Sequence, residues 1–248
     1  MKKTDKIAAL SDIGKKRKNN EDTSYAGVSP YGVLLVVADG MGGHRKGEVA
    51  SKIVSDSLSV PFANEKHMFT AHRAKKFFHK CLKSANKEIY NMALSAEEYK
   101  EMGTTLVSAI VAQKETVVFS VGDSRCYIVD QNDVLKQVTT DQTYVEMLFE
   151  SGRITKEEMS SHPQKNLLVN AVGITPDVSN VEEYVIKNED YKTLFLCSDG
   201  LYNMVSDKDI EKTLTIQGLT TKEKAKSLLK QALNNGGNDN IAIVIWEN

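Results

Sequence analysis

Short apolar runs and longer amphipathic stretches follow one another along the chain, and the two patterns predict different elements. The apolar runs are rich in valine, isoleucine and leucine, as buried strands are. They lie at 33–37, 106–112, 116–121, 127–129, 194–197 and 241–246. The nearly continuous runs need cover on both faces, from helices or from a second sheet. Because the runs between 104 and 129 follow one another directly, the pattern favours antiparallel sheets with helices outside.

Three stretches have the period of amphipathic helices. One begins at Glu48, and a second runs over 72–94 with its apolar residues on one face. A third is announced by Thr220 with Glu223 three positions later, a capping-box pattern, and stops at Gly236 and Gly237. Strands and helices together predict a layered arrangement.

Composition and charge narrow the class of protein. The 248 residues are 41% hydrophobic and 26% charged, and no linker or repeat divides them, so we expect one domain over 1–248. A net charge of −1 gives no indication of nucleic acid or of an anionic membrane as a partner. No apolar run approaches the roughly 20 residues of a membrane-spanning helix. We expect a cytoplasmic monomer with no signal peptide, membrane anchor or regulatory domain.

Acidic residues stand at the ends of the predicted strands. Three follow an apolar run, one precedes such a run, and a pair precedes the strand-like stretch 23–26: Asp39, Asp123 and Asp199; Asp239; and Glu21 with Asp22. If these ends converge, the carboxylates share one cleft, where like charges raise each other's pKa or are neutralised by a cation. Oxygen ligands without paired histidine or cysteine favour Mg²⁺ or Mn²⁺ over zinc.

Each acidic motif taken alone has a simpler interpretation. Asp-Gly and Gly-Asp pairs are common turn signals, so Asp39, Asp123 and Asp199 could each end a strand without any chemistry. The loop after Asp39 favours a functional role, because it holds three glycines in four positions and would let backbone carbonyls approach an ion closely.

Other catalytic patterns are missing from the sequence. It has no P-loop, no G-x-S-x-G nucleophile elbow and no H-E-x-x-H pair. Cys81, Cys126 and Cys197 lack the spacing of a zinc site or of a thiolate phosphatase loop, and we expect them in the core. His72 and His79 are interpreted as surface residues of a helix. Catalysis by carboxylates together with a metal ion is the class of chemistry that these absences leave.

Six motifs occur in the order and spacing of the metal-dependent protein serine/threonine phosphatases (PPM, type 2C). They are RKNNED at 17–22, VADGMGGH at 37–44, EMGTT at 101–105, VGDSR at 121–125, CSDGL at 197–201 and GNDNI at 237–241. The sequence resembles a compact bacterial member of this family over about residues 8–246. The resemblance implies an α+β fold, a four-layer α-β-β-α sandwich of two antiparallel sheets, with a metal cluster in a cleft at one end.

The resemblance also implies roles for the matching residues. The implied metal ligands are Asp39 as the bridge between two ions, Gly40 through its carbonyl, Asp199 and Asp239 at the first ion, Glu21 and Asp22 at the second, and Asp123 with Asp199 at a third, weaker one. Two Mn²⁺ or Mg²⁺ ions would lower the pKa of a shared water molecule, which attacks phosphorus directly. Arg17 matches the arginine that grips the substrate phosphate, for which a planar guanidinium is well suited.

The chain departs from the family pattern at one position. Where many eukaryotic members have a histidine thought to act as general acid, this sequence has Met41. His44 is a candidate for that role, and a metal-bound water is another. The resemblance places a mobile segment at about 141–175, called the flap here. Its residues Ser151, Gly152 and Arg153 are predicted to contact substrate.

Three functions are compatible with these features. The first is a phosphatase for phosphoserine and phosphothreonine in proteins, whose partners are phosphoproteins and a bacterial Ser/Thr kinase that it counteracts. The second is a catalytically inactive relative of the same fold that binds a partner or senses a ligand, which the retained carboxylates and Arg17 argue against. The third is a metal hydrolase for small phosphoesters, which the same centre would also cleave.

Overall fold

The computed structural model describes residues 6–42 and 46–248, and this part of the chain contains eleven strands and seven α-helices. The strands are β1 (Ile7–Asp12), β2 (Asp22–Ser29), β3 (Gly32–Met41), β4 (Gly103–Thr104), β5 (Leu106–Val111), β6 (Glu115–Val121), β7 (Arg125–Asp130), β8 (Leu135–Gln137), β9 (Glu182–Lys187), β10 (Tyr191–Cys197) and β11 (Ile241–Glu247). The helices are α1 (Gly47–Ala63), α2 (Ala71–Ser95), α3 (Tyr144–Glu150), α4 (Lys156–Ser161), α5 (Asp199–Tyr202), α6 (Asp207–Thr215) and α7 (Thr221–Asn234).

The strands form two sheets in which every pair of neighbours is antiparallel. One sheet has the order β1-β11-β10-β7-β8, and the other has the order β2-β3-β5-β6-β9 with β4 paired to β3. The expectation of two antiparallel sheets flanked by helices is confirmed.

Alternation along β3 shows how the layers pack. Val33, Leu35 and Val37 belong to a core cluster that also contains residues of β10 and β11, so they face the other sheet. Leu34 and Val36 belong to a cluster with α1 and α2, so they face the helices. Successive side chains of a strand point to opposite faces. The run therefore carries no polar position, because both faces are buried.

The outer layers contain the three predicted helices. Helices α1 and α2 cover the sheet that contains β3, and α7 packs with α6 on the other sheet. Thr220 accepts from the backbone N–H of Glu223 and the Glu223 side chain reaches back, so the predicted capping box is present. All three cysteines are buried, as expected. Within the described ranges, no helix is long and apolar enough to cross a membrane.

Several elements were not predicted from the sequence. Strand β1 has only four apolar residues in a row, too few to stand out, yet it pairs with β11 along its whole length. Strand β9 has a mixed polar pattern because it pairs only with β6, at the edge of its sheet. Helix α6 buries only Ile210, Thr213 and Leu214, too few apolar positions to stand out.

Candidate metal centre

The acidic strand ends converge at one end of the two sheets. Asp22 and Asp39 lie directly opposite each other in the register of β2 and β3. Asp199 follows β10 and Asp239 precedes β11, which are neighbours in the other sheet. Ser198 links the two sheets here: its hydroxyl donates to Asp22 Oδ2 at 2.6 Å and accepts from a backbone N–H of β11 at 2.8 Å. The structure thus brings these strand ends together.

A cavity of about 250 Å³ opens at this convergence. The residues predicted for the site that line it are Arg17, Glu21, Asp39, Gly40, Asp123, Asp199 and Asp239. Asp22 does not line the cavity, because its side chain is buried and its Oδ2 atom accepts a hydrogen bond from Ser198. Met41, at the departure from the family pattern, is also a lining residue, and His44 lies outside the described residues.

Asp39 is the electrostatic centre of the cluster. Burial raises its pKa well above the usual range, and the charges of Asp22, Asp199, Asp123 and Asp239 raise it further. Like charges this close to one another disfavour the ionised form of each carboxyl group. The arrangement therefore demands either protons or a cation.

The neighbouring carboxyl groups have the same tendency. Burial, and then the charge of Asp199, raise the pKa of Asp123 to about 7. Burial is also the main cause of the raised pKa values of Asp22, Asp199 and Glu21. Several carboxyl groups titrating near neutrality in one cleft are typical of a functional site.

The backbone of Asp39 is held by two threonines of the EMGTT motif, to which the sequence pattern assigned no role. The carbonyl of Asp39 accepts from the Thr104 hydroxyl and from the Thr105 N–H, each at 2.9 Å. Its N–H donates to Thr105 Oγ1 at 3.1 Å, and that hydroxyl also bonds to Ser124 Oγ at 2.7 Å. These bonds fix the carboxylate relative to the loop that carries Asp123.

Gly40 is a glycine because the backbone approaches it closely. A Cβ at this position would lie 2.2 Å from the carbonyl oxygen of Gly47 and 2.6 Å from that of Glu21. The Gly40 N–H donates to the same Glu21 carbonyl at 3.1 Å. A side chain at position 40 would therefore clash with the start of α1 and with the segment before β2.

Two asparagines hold the loop that carries the acidic pair. Asn240 accepts from the N–H of Glu21 at 2.8 Å and donates to the carbonyls of Ile13 and Asn19 at 2.9 Å each. Asn20 accepts from the N–H of Asp22 at 3.2 Å. Through these hydrogen bonds both side chains stabilise the loop.

Arg17 lies at the rim of the cavity. Its Nη2 atom donates to Asp239 Oδ2 at 2.7 Å, and half of its side chain is exposed. This hydrogen bond, together with nearby carboxylates, raises the pKa of Arg17 further above its usual range. The neighbouring Lys15, Lys16 and Lys18 are exposed and make no ion pair within the described part of the chain.

The flap is joined to the centre by a partly buried ion pair. Arg125 contacts both carboxylate oxygens of Asp141, with a shortest distance of 2.7 Å, and its guanidinium lies 3.6 Å from the ring centre of Tyr202. The Tyr202 hydroxyl donates to the carbonyl of Asp123 at 3.2 Å. A second cavity of about 540 Å³ between the flap and this network shares Asp123 and Asp199 with the first.

The three flap residues predicted to contact substrate lie apart from the carboxylates. Ser151, Gly152 and Arg153 form the exposed turn after α3 and line neither cavity. Gly152 has φ +68°, which suits glycine at a helix end. Asn166 and Leu168, which the sequence analysis did not single out, are the flap residues that line the carboxylate cavity.

The residues present fit hard divalent cations. Asp22 Oδ1 is buried without a hydrogen-bond partner, and the lining carboxylates are crowded. Among the residues that the structure describes, no three acidic, histidine or cysteine side chains enclose a metal ion by themselves. Mg²⁺ sites commonly use one or two carboxylates and retain several waters. The donor set and the open cavity match that type of site.

Comparison with known proteins gives the same family throughout. The model of the Protein phosphatase 2C family matches residues 14–236. The serine/threonine phosphatase stp of Listeria innocua is 40% identical over 240 residues, which are 96% of this chain and 93% of that protein.

Two solved structures extend the likeness to the whole fold. The serine/threonine phosphatase Stp1 of Staphylococcus aureus has a TM-score of 0.90 at 35% identity, over 98% of this chain and 94% of that one. The catalytic domain of the serine/threonine protein phosphatase PstP, in complex with two manganese ions, has a TM-score of 0.83 at 33% identity, over 97% and 96% of the two chains. With a matching family model, relatives of this identity and the same two-sheet fold, the chain belongs to the protein phosphatase 2C family.

Proposed function

We propose that the chain is a single catalytic domain that hydrolyses phosphoserine and phosphothreonine in proteins, depends on Mn²⁺ or Mg²⁺, and reverses the action of a Ser/Thr kinase. The observation that carries the proposal is the cavity lined by Asp39, Asp123, Asp199 and Asp239, with Arg17 at its rim. Family membership, and the activity and manganese ions named for its relatives, support the proposal.

The carboxylates are assigned to the ions as follows. Asp39, Asp199 and Asp239 would hold the first ion, Asp39, the Gly40 carbonyl, Glu21 and Asp22 would hold the second, and Asp123 with Asp199 would hold a third. Bound ions of this kind supply positive charge and a water molecule of lowered pKa. The chain's own contribution is to fix the ligands. Hydrogen bonds with Thr104 and Thr105 hold the backbone of Asp39, and one from Ser198 holds the side chain of Asp22.

Arg17 is assigned to the substrate phosphate. One of its N–H groups is engaged by Asp239, while half of the side chain faces solvent at the mouth of the cavity. A guanidinium has five N–H donors in a rigid fork, so the remaining ones are free to bind phosphoryl oxygens. Charge that develops on those oxygens is stabilised best by donors already in place.

The proton for the leaving alkoxide needs a separate source. Met41, which occupies the position of the eukaryotic histidine, lines the cavity but carries no proton to donate. His44, outside the described residues, stays a candidate, and a metal-bound water is the alternative. Comparing the pH profiles of kcat for His44→Ala and the parent protein distinguishes the two.

The first test is phosphate release from a phosphothreonine peptide with Mn²⁺, with Mg²⁺ and with EDTA. We expect turnover with either metal, none with EDTA, and a loss of at least about 100-fold in Asp199→Asn and Asp239→Asn. That size follows because even the outer partners of metal ligands are worth 10- to 100-fold. Asp56→Asn is the matched control, since Asp56 is exposed on α1 and its ion pair in the described part of the chain is with Lys52.

Two results would contradict the proposal. Turnover that persists in EDTA or in both variants would place the chemistry elsewhere. Bound metal, detected by calorimetry, without turnover of the peptide would favour an inactive binding or sensor module. Turnover of a small phosphoester with kcat/KM far above that of the peptide would instead indicate a small-molecule hydrolase.

The flap residues give a prediction about substrate size. Because Ser151 and Arg153 are exposed beside the second cavity but line neither, only a large substrate reaches them. Ser151→Ala with Arg153→Ala is expected to raise KM for a phosphopeptide about threefold, the size of a lost exposed ionic contact. The kcat/KM for p-nitrophenyl phosphate should not change. Equal values for the peptide in variant and parent would remove these residues from the substrate site.

A further inference from the structure

Helix α2 carries an exposed row of lysines. Lys76, Lys80, Lys83 and Lys87 are exposed and have the i, i+4, i+7, i+11 spacing that places side chains along one stripe of a helix. The row is about 16 Å long at 1.5 Å per residue. None of the four has an acidic partner within the described ranges, whereas the neighbouring Lys75 is paired with Glu183.

The row makes the surface charge strongly asymmetric. The six basic residues and one acidic residue of α2 give it a formal charge of +5, although Arg73 and Lys75 are paired with Glu65 and Glu183 outside the helix. The whole chain has a charge of −1, so the remainder carries −6. The near-neutral total therefore conceals a basic face on one outer layer. A basic face attracts an acidic partner over about 10 Å at moderate salt.

A groove of about 500 Å³ runs beside the lysine row. Lys83 and Lys87 form one side of it, and its apolar lining comes from Leu82, Tyr90, Pro176, Val178 and Val181. The one acidic residue in its lining is Asp177. The groove thus combines apolar surface with a basic edge.

The far wall of the groove is fixed by one buried asparagine. Asn86 is 2% exposed; it donates to the carbonyls of Thr175 and Pro176 at 3.0 Å each and accepts from the N–H of Gly173 at 2.7 Å. These bonds hold the segment after the flap against α2. A groove whose walls are held in this way needs little reorganisation to bind a ligand.

We propose that this lysine row and groove form a docking site for an acidic, extended segment of a partner protein. At about 3.3 Å per residue, the row matches about five residues of extended chain. Acidic side chains would pair with the lysines while an apolar side chain enters the groove. A lipid bilayer would meet the lysines but could not fill a concave groove, so the geometry favours a polypeptide. The site is separate from the carboxylate cavity, and binding there does not require catalysis.

The test is binding of a short fluorescein-labelled peptide in which glutamates alternate with leucines, followed by fluorescence anisotropy at low salt. We expect binding that weakens as NaCl is added, and that weakens about fivefold in Lys83→Gln with Lys87→Gln, since each exposed ion pair contributes little. Glutamine keeps the helix propensity of these positions. The matched control is Lys226→Gln with Lys230→Gln, an exposed pair with the same spacing on α7, which should leave the affinity unchanged.

Three results would overturn the proposal. In the first, the parent protein fails to bind the peptide. In the second, substitution of either lysine pair weakens binding equally, which indicates non-specific charge attraction. In the third, vesicles of phosphatidylglycerol or a DNA duplex bind more tightly than the peptide and lose that binding in the Lys83 and Lys87 variant. Equal thermal unfolding of the parent and both variants shows that each is folded, and none of these readouts depends on phosphatase activity.

Discussion

Replacing Asp39 with asparagine is expected to abolish phosphate release and at the same time to stabilise the metal-free protein. Asp39 lies among four other carboxylates, and both its desolvation and their charges raise its pKa. Asparagine has the same shape without the charge, and its backbone would keep the bonds to Thr104 and Thr105. We expect Tm in EDTA to rise by about 5 °C, which corresponds to about 2 kcal/mol in a domain of this length.

The loss of activity has a different cause from the gain in stability. Asparagine can accept through only one oxygen, so it cannot bridge two ions, and phosphate release should fall at least about 100-fold. Asp56→Asn, on the exposed face of α1, should change neither Tm nor turnover. If Asp39→Asn lowered Tm in EDTA, the carboxylate would be a stabilising part of the fold and the crowding argument would be wrong. Wild-type turnover by the variant would exclude Asp39 as a ligand.

Much of the layered fold could be predicted from apolar periodicity alone. Runs without a polar position require two buried faces, and the structure supplies them with a sheet on one side of β3 and helices on the other. Elements with little buried surface escaped prediction. Strand β1 and helix α6 acquire their structure from tertiary partners, β11 and α7, rather than from their own pattern.

The acidic residues of the centre could be located because six motifs occur together and in order, although each Asp-Gly or Gly-Asp pair alone is a common turn signal. Their partners could not. Ser198, which joins the two sheets beneath Asp22, and Thr105, which holds Asp39, are small polar residues with no distinctive spacing. The basic face of α2 was also overlooked, since a net charge sums over the chain and discards position. Contacts between distant segments are what the sequence pattern leaves undetermined.

The stability of the metal-free protein is expected to fall as pH rises from about 4 to about 7. An aspartate in the unfolded chain has a pKa of about 3.9. Burial raises the pKa of Asp123 to about 7 in the folded protein, and those of Asp22, Asp39 and Asp199 are raised as well. Between these values the folded state holds protons that the unfolded state has released. The free energy of unfolding then decreases with rising pH.

Other carboxyl groups make the folded protein more stable as pH rises, but over a lower pH range. The hydrogen bond with Lys136 is the main reason that the pKa of Asp130 falls to about 2, and backbone hydrogen bonds from Thr220 lower that of Glu223. Their contribution is lost as pH falls below about 4. The pH ranges over which the two groups of residues change the stability overlap little. The Tm in EDTA should therefore pass through a maximum near pH 4 to 5.

Manganese should reverse the loss of stability that the metal-free protein shows as pH rises to neutral. The ion binds ionised carboxylates of the folded state only, so its stabilisation grows with pH and with concentration above Kd. Tm measured from pH 4 to 8 should therefore fall in EDTA and stay level or rise in excess Mn²⁺, with the two curves diverging most near pH 7.5. Asp123→Asn should make the EDTA curve flatter, because it removes one of the titrating groups. An EDTA curve that rises from pH 5 to 7.5 would show that the carboxylates are stabilised by partners rather than crowded by one another.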